Sequence, residues 1–100
     1  MPTKSHSTDL KKRLKSASYA SKYLRIAFGV GDDAGFLLAL KNVVDANGGV
    51  SAVSRKSEIT RQHLHRALKQ GGNPTLVTLK AILSAVGLRL DFTPEKREAA

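Results

Sequence analysis

No cysteine occurs among the 100 residues, which excludes disulfides and thiolate metal sites and fits a cytoplasmic location. Acidic residues are scarce: 8 Asp and Glu stand against 17 Lys and Arg, a formal net charge of +9. An excess of that size on so short a chain favours polyanionic partners, because phosphate contacts release condensed counterions. No apolar run approaches the roughly 18–20 residues needed to cross a bilayer, so no membrane partner is expected. The first fifteen residues lack the apolar core of a secretory signal. Chemistry-bearing groups are few. Of three histidines, His6 lies in the polar start of the chain. His63 and His65 stand two apart on an expected helix, turned about 200° from each other, and so cannot share a metal. No serine has an evident base and orienting acid nearby in sequence. No enzymatic activity, metal or cofactor is expected.

What remains has the composition of one soluble helical domain, 41% hydrophobic and 25% charged. Residues 1–15 are polar and basic with only Leu10 and Leu14 to pack, and read as a flexible basic arm. The domain proper is expected over 16–93. From Ser18, Tyr19, Tyr23, Leu24, Ala27 and Phe28 share one helical face. Gly29 to Asp33 break that helix. Gly29 or Gly31 suits a left-handed cap, and Asp32 or Asp33 suits the next helix start. No Gly-Lys-Ser/Thr follows, so these glycines do not form a phosphate-binding loop. A second helix is expected over Ala34–Ala46, its stripe formed by Phe36, Leu37, Leu40, Val43 and Val44, and it is stopped by Asn47, Gly48 and Gly49. Asn73-Pro74 reads as a helix start, with Asn as cap and Pro at the first helical position. Leu76, Leu79, Ile82, Leu83 and Val86 would be buried, and Gly87 would end the helix. Residues 88–92, LRLDF, alternate with period two, a strand signal. Such a strand would pair with its copy across a two-fold axis, through Leu88, Leu90 and Phe92, or pack on the core. Residues 94–100 read as a loose tail.

The most informative stretch is Val50–Lys69, VSAVSRKSEITRQHLHRALK. It divides into a short helix over about Ser51–Lys56, capped by Ser51 and packed through Val53, then a turn pinned by Ile59, then a second helix. Thr60 is its expected N-cap. Leu64, Ala67 and Leu68 would face the core. The opposite side shows Gln62, His65, Arg66 and Lys69, with Arg61 leading. Basic residues on a helix are commonly only solvated surface. A short helix with this division of faces also enters a major groove, where Arg bonds guanine and Gln bonds adenine in bidentate fashion. The stretch reads as a helix-turn-helix at about 50–69.

The segments ITRQHLHRAL and GGNPTLVTLKAILSAVGLRL resemble the Cro/lambda-repressor (XRE) class of helix-turn-helix proteins. Within that class they are similar to the HigA-like addiction-module antidotes, the antitoxins of bacterial type II toxin–antitoxin pairs. The likeness extends upstream through SYASKYLRIAFGVGDDAGFLLALKNVVDANGGVSAVS and covers about Ala17–Phe92. It implies an all-α, five-helix, lambda-repressor-like domain that binds operator DNA as a homodimer and represses its own operon. Its protein partner would be a RelE/HigB-like toxin. Base-reading positions would fall on Arg61, Gln62, His65 and Arg66, and phosphate contacts on Ser51, Thr60, Lys69, Asn73 and Thr75. A solitary regulator of the same class, and a toxin-binding module with weak DNA binding, are the alternatives. Three residues depart from the family pattern: Ser54 for a small Ala, Glu58 for the turn Gly, and His65 for a Tyr. Glu58 requires a strained or altered turn.

Overall fold

The computed structural model of the chain describes residues 2–95. Among them the chain forms six helices and no strand: α1 Pro2–Arg13, α2 Ala17–Val30, α3 Asp33–Ala46, α4 Gly49–Ser57, α5 Arg61–Leu68 and α6 Leu76–Ala85. The all-α expectation holds. α3 is the central element, in contact with α1, α2, α4 and α5, while α6 rests on α4. Its expected stripe explains this position: Leu40, Val43 and Val44 are completely buried, Leu37 nearly so, and Phe36 packs at the edge. Around them close Leu24 of α2, Val53 of α4, Leu64 and Leu68 of α5, and Ile82 and Leu83 of α6. Asp32 caps α3, its Oδ1 accepting from the Gly35 N–H at 2.8 Å. On the outer face of α3, Lys41 and Asp45 pair at 3.2 Å, one turn apart.

Where a loose basic arm is expected over 1–15, α1 is helical and its end is anchored. Leu14 is 1% exposed within the core and Leu10 packs beside it. Two apolar residues at i, i+4 suffice for one contact stripe, and full burial of a leucine contributes about 1.5–3 kcal/mol. Ser16 then caps α2 by accepting from the Tyr19 N–H.

The strand expected over 88–92 is replaced by a helix ending. Gly87 takes φ +82, the Leu88 N–H donates to the Leu83 C=O at 2.8 Å, and the Gly87 N–H donates to the Ser84 C=O at 3.0 Å. These paired bonds form a Schellman cap, whose following residue packs back on the helix. Leu88 does so, whereas Leu90 is exposed and Phe92 is 91% exposed. Of the tail expected over 94–100, residues 94 and 95 are exposed, and 96–100 lie outside the described residues.

Other boundaries shift for local reasons. α6 begins at Leu76 because the Thr75 Oγ1 accepts from the Thr78 N–H at 3.1 Å, leaving Asn73-Pro74 in the preceding loop. That start turns Leu76 outward, 64% exposed. α4 begins two residues before Ser51, with Gly48 at φ +98 as its N-cap. Neither Gly29 nor Gly31 is left-handed: Gly31 ends α2 in extended backbone, its N–H bonded to the Ala27 C=O. Phe28 leaves the core face and, 71% exposed, stands edge-on to Phe36 with ring centroids 5.3 Å apart.

Candidate nucleic-acid interface

α5 is short and strongly two-sided. Thr60 caps it, its Oγ1 accepting from the His63 N–H at 3.1 Å. Leu64, Ala67 and Leu68 are buried, as the spacing predicts. Arg61, Gln62, His65 and Arg66 are all exposed, and Lys69 is exposed at the C-terminal end. At 100° per residue Arg61, Gln62, His65, Arg66 and Lys69 occupy one continuous arc opposite the buried side. His63 lies on the flank instead, its Nε2 3.5 Å from the Thr78 Oγ1 of α6. The two histidines therefore face different surroundings.

The turn before α5 is built by side chains. The Ser54 hydroxyl donates to the Ile59 C=O, and the Ile59 N–H donates to the Ser57 Oγ at 3.2 Å. Serine in place of a small alanine thus supplies a bond that closes the turn. Ile59 packs on the core as expected. Glu58 sits at φ +62, ψ 18, the left-handed region, and is the one non-glycine residue with positive φ among those described. That conformation costs an L-residue roughly 1–2 kcal/mol. Glycine would relieve it, while losing roughly 0.5–1 kcal/mol through greater freedom of the unfolded chain. Glu58→Gly should therefore stabilise the protein by several tenths to about 1 kcal/mol, raising Tm by roughly 2–8 °C in a melt of the isolated chain. A fall in Tm would mean that the carboxylate holds the turn by a contact of its own.

Arg61 reaches back to α4, its Nη1 donating to the Ser51 Oγ at 3.5 Å. Ser51 is available for this because Gly48, not Ser51, caps α4. Between them opens a depression lined by Gly48, Gly49, Ser51, Arg61, Gln62 and His65, with Asp45 on its wall. Lys41 partners that carboxylate, and Arg61 is the one Lys or Arg side chain among the residues that line the depression. From Gly48 to Thr75 the chain carries five cations, Arg55, Lys56, Arg61, Arg66 and Lys69, against the single carboxylate of Glu58.

The phosphate-contact candidates separate in character. Ser51 and Lys69 adjoin the outward arc of α5, and Asn73 is exposed in the loop before α6. The Thr60 hydroxyl accepts a capping bond, which leaves its own hydrogen to donate. Thr75 also donates to the Thr78 Oγ1 at 3.1 Å, so both of its capacities are engaged within the helix start. Gly48 and Gly49, which the sequence marks only as the stop of a helix, also line the depression beside α5. A groove that the sequence does not mark lies between α2 and α3, lined by Tyr23, Ile26, Ala27, Leu38, Ala39 and Asn42. The exposed off-stripe Ile26 and Leu38 were its only signal.

Among known protein families, the one described as "probable addiction module antidote protein" matches residues 4–94. No curated protein and no solved structure matches the chain.

Proposed function

The chain belongs to the probable addiction module antidote family, and from that membership we propose that it is the DNA-binding antitoxin of a type II toxin–antitoxin module, neutralising a RelE/HigB-like toxin and repressing its own operon. In this reading α4 and α5 form a helix-turn-helix of the lambda-repressor type. α5 lies in a major groove with Arg61, Gln62, His65 and Arg66 toward base edges. Ser51, Thr60, Lys69 and Asn73 meet the flanking phosphates, and Thr75 orients the loop by capping α6. The observation that carries the reading is the division of α5: its apolar residues are locked into the core while every polar residue of the opposite arc is open to solvent. Arg supplies bidentate donors for guanine and Gln the donor–acceptor pair for adenine. A homodimer, through the exposed Leu90 and Phe92 beside Leu88, would set two such helices about 34 Å apart, one turn of B-DNA.

A second reading keeps the toxin partner and dispenses with DNA. Glu58 favours it, because a carboxylate in the turn ahead of α5 repels phosphate. One experiment separates them: the chain is expressed with its genomic neighbours, and the retained protein and DNA are identified. A toxin-like protein and the upstream promoter fragment should both be retained. Protein without DNA would leave the second reading, and DNA without protein would leave a solitary regulator.

A further inference from the structure

The cationic end of α1 has no place in the reading of α5, and its charge is one-sided. Leu10 and Leu14 form the inward stripe. On one flank Asp9 and Arg13 pair at 3.1 Å and neutralise each other. On the other, Lys11 and Lys15 stand about one turn apart, with Lys12 on the outermost face. All three lysines are exposed, and no described carboxylate pairs with them.

The position of this end is set by Asn47. Its side-chain amide donates to the Leu14 C=O at 3.4 Å and to the Val43 C=O at 2.8 Å, tying the end of α1 to the end of α3. Lys15 is the residue after the tethered carbonyl. Gly48, the residue after Asn47, lines the depression shared with Arg61, Gln62 and His65. The bonded path Lys15–Leu14–Asn47–Gly48 thus leads from the lysine cluster to the edge of the surface that α5 presents. Burial of Leu14 holds the cluster there.

We propose that Lys11, Lys12 and Lys15 form a phosphate clamp, which grips the nucleic-acid backbone beside the groove that α5 enters and lengthens the footprint past the α4–α5 unit. This rests on the DNA-binding reading above. The clamp reads no sequence. It contributes affinity and salt dependence, with a slope of about 0.9 in log K against log [salt] for each phosphate neutralised.

The test is a salt titration of the full chain on two duplexes of equal length, its own upstream region and an unrelated sequence. The triple variant K11Q/K12Q/K15Q should lose about 2–3 from the slope, and about tenfold or more in affinity at 0.15 M salt, on both duplexes alike. Its Tm should be unchanged, because Leu10 and Leu14 do the packing. The variant K22Q/R25Q removes two exposed cations from α2 and should leave the slope as it was. An unaltered slope in the triple variant, while Arg61→Ala still weakens binding to the upstream duplex, would overturn the clamp and spare the reading of α5. An equal loss of slope in K22Q/R25Q would overturn it too, since the effect would then belong to the general field. Wild-type protein that binds neither duplex would overturn both.

Discussion

Leu64→Ala should destabilise the protein by about 3–4 kcal/mol, within the range found for fully buried leucines. Leu64 is 0% exposed, at the centre of the inward side of α5. Its removal takes away the transfer free energy of the side chain and leaves a void that the helices packed on α5, α3 and α4, would fill only in part. For a domain of about 100 residues this corresponds to a fall in Tm of roughly 12–30 °C. Because whole-domain stability is typically about 5–15 kcal/mol, the variant should still fold at room temperature. The matched control is Leu76→Ala, the same chemical change at an exposed position of α6, which should stay within about 0.5 kcal/mol. Denaturant melts of both decide the matter. Similar losses at the two sites would show that α5 and α6 do not pack as described. A large loss at Leu64 alone supports a helix whose inner face is fixed, which an interface on its outer face requires.

That contrast also shows what a sequence conveys. Leu64 and Leu76 both sit in apolar stripes at helical spacing, and periodicity assigns both to a core. The difference lies in where each helix starts. Thr60 caps α5 where the spacing required, and its stripe points inward. At α6 the Asn73-Pro74 signal competes with Thr75, whose hydroxyl satisfies the Thr78 N–H. The later start changes which end of the stripe is covered. α3 is legible almost to the residue because its stripe is long and broad and two adjacent aspartates mark its start, of which Asp32 supplies the cap. α1 is not, because a stripe of two leucines in a basic segment has the composition of a disordered arm. Only the tertiary contact of Leu14 shows otherwise.

LRLDF departs from its expected strand for a different reason. The residues do alternate with period two, but Leu88 is partly buried as the packing residue of a Schellman cap, and Leu90 and Phe92 are exposed. Gly87 was correctly placed as a helix end, yet that geometry already accounts for the residue that follows. At the candidate interface the arc of α5 was legible, since one helix determines it. Contacts between elements were not: Arg61 with Ser51, Leu14 with Asn47, and Thr75 with Thr78 depend on helix ends that shift by one or two residues. Glu58 is the reverse case. The family's usual glycine at this position predicts a strained or altered turn, and the structure meets it with a left-handed Glu58 at φ +62.

Arg61→Ala and Gln62→Ala should each weaken binding to the upstream duplex by about 1–3 kcal/mol, roughly 5- to 150-fold, if α5 reads bases as proposed. The loss should concentrate at one base pair per side chain: substituting that pair should cost wild type affinity and cost the variant little. Lys69→Ala should behave otherwise, weakening related and unrelated duplexes alike and lowering the salt slope by about 0.9. Arg61 adds a further expectation, because its guanidinium is held toward the Ser51 Oγ in the free protein. Ser51→Ala removes that tether without altering charge. It should leave the preferred base unchanged and weaken binding only modestly, through the phosphate contact that Ser51 no longer makes and the freedom that Arg61 must then lose on docking. Binding measured across single-base-pair variants of the upstream sequence distinguishes the four proteins. Should Arg61→Ala and Gln62→Ala bind every duplex less well by one common factor, α5 would be a cationic surface without sequence discrimination, and repression of a particular operon would have to be specified elsewhere.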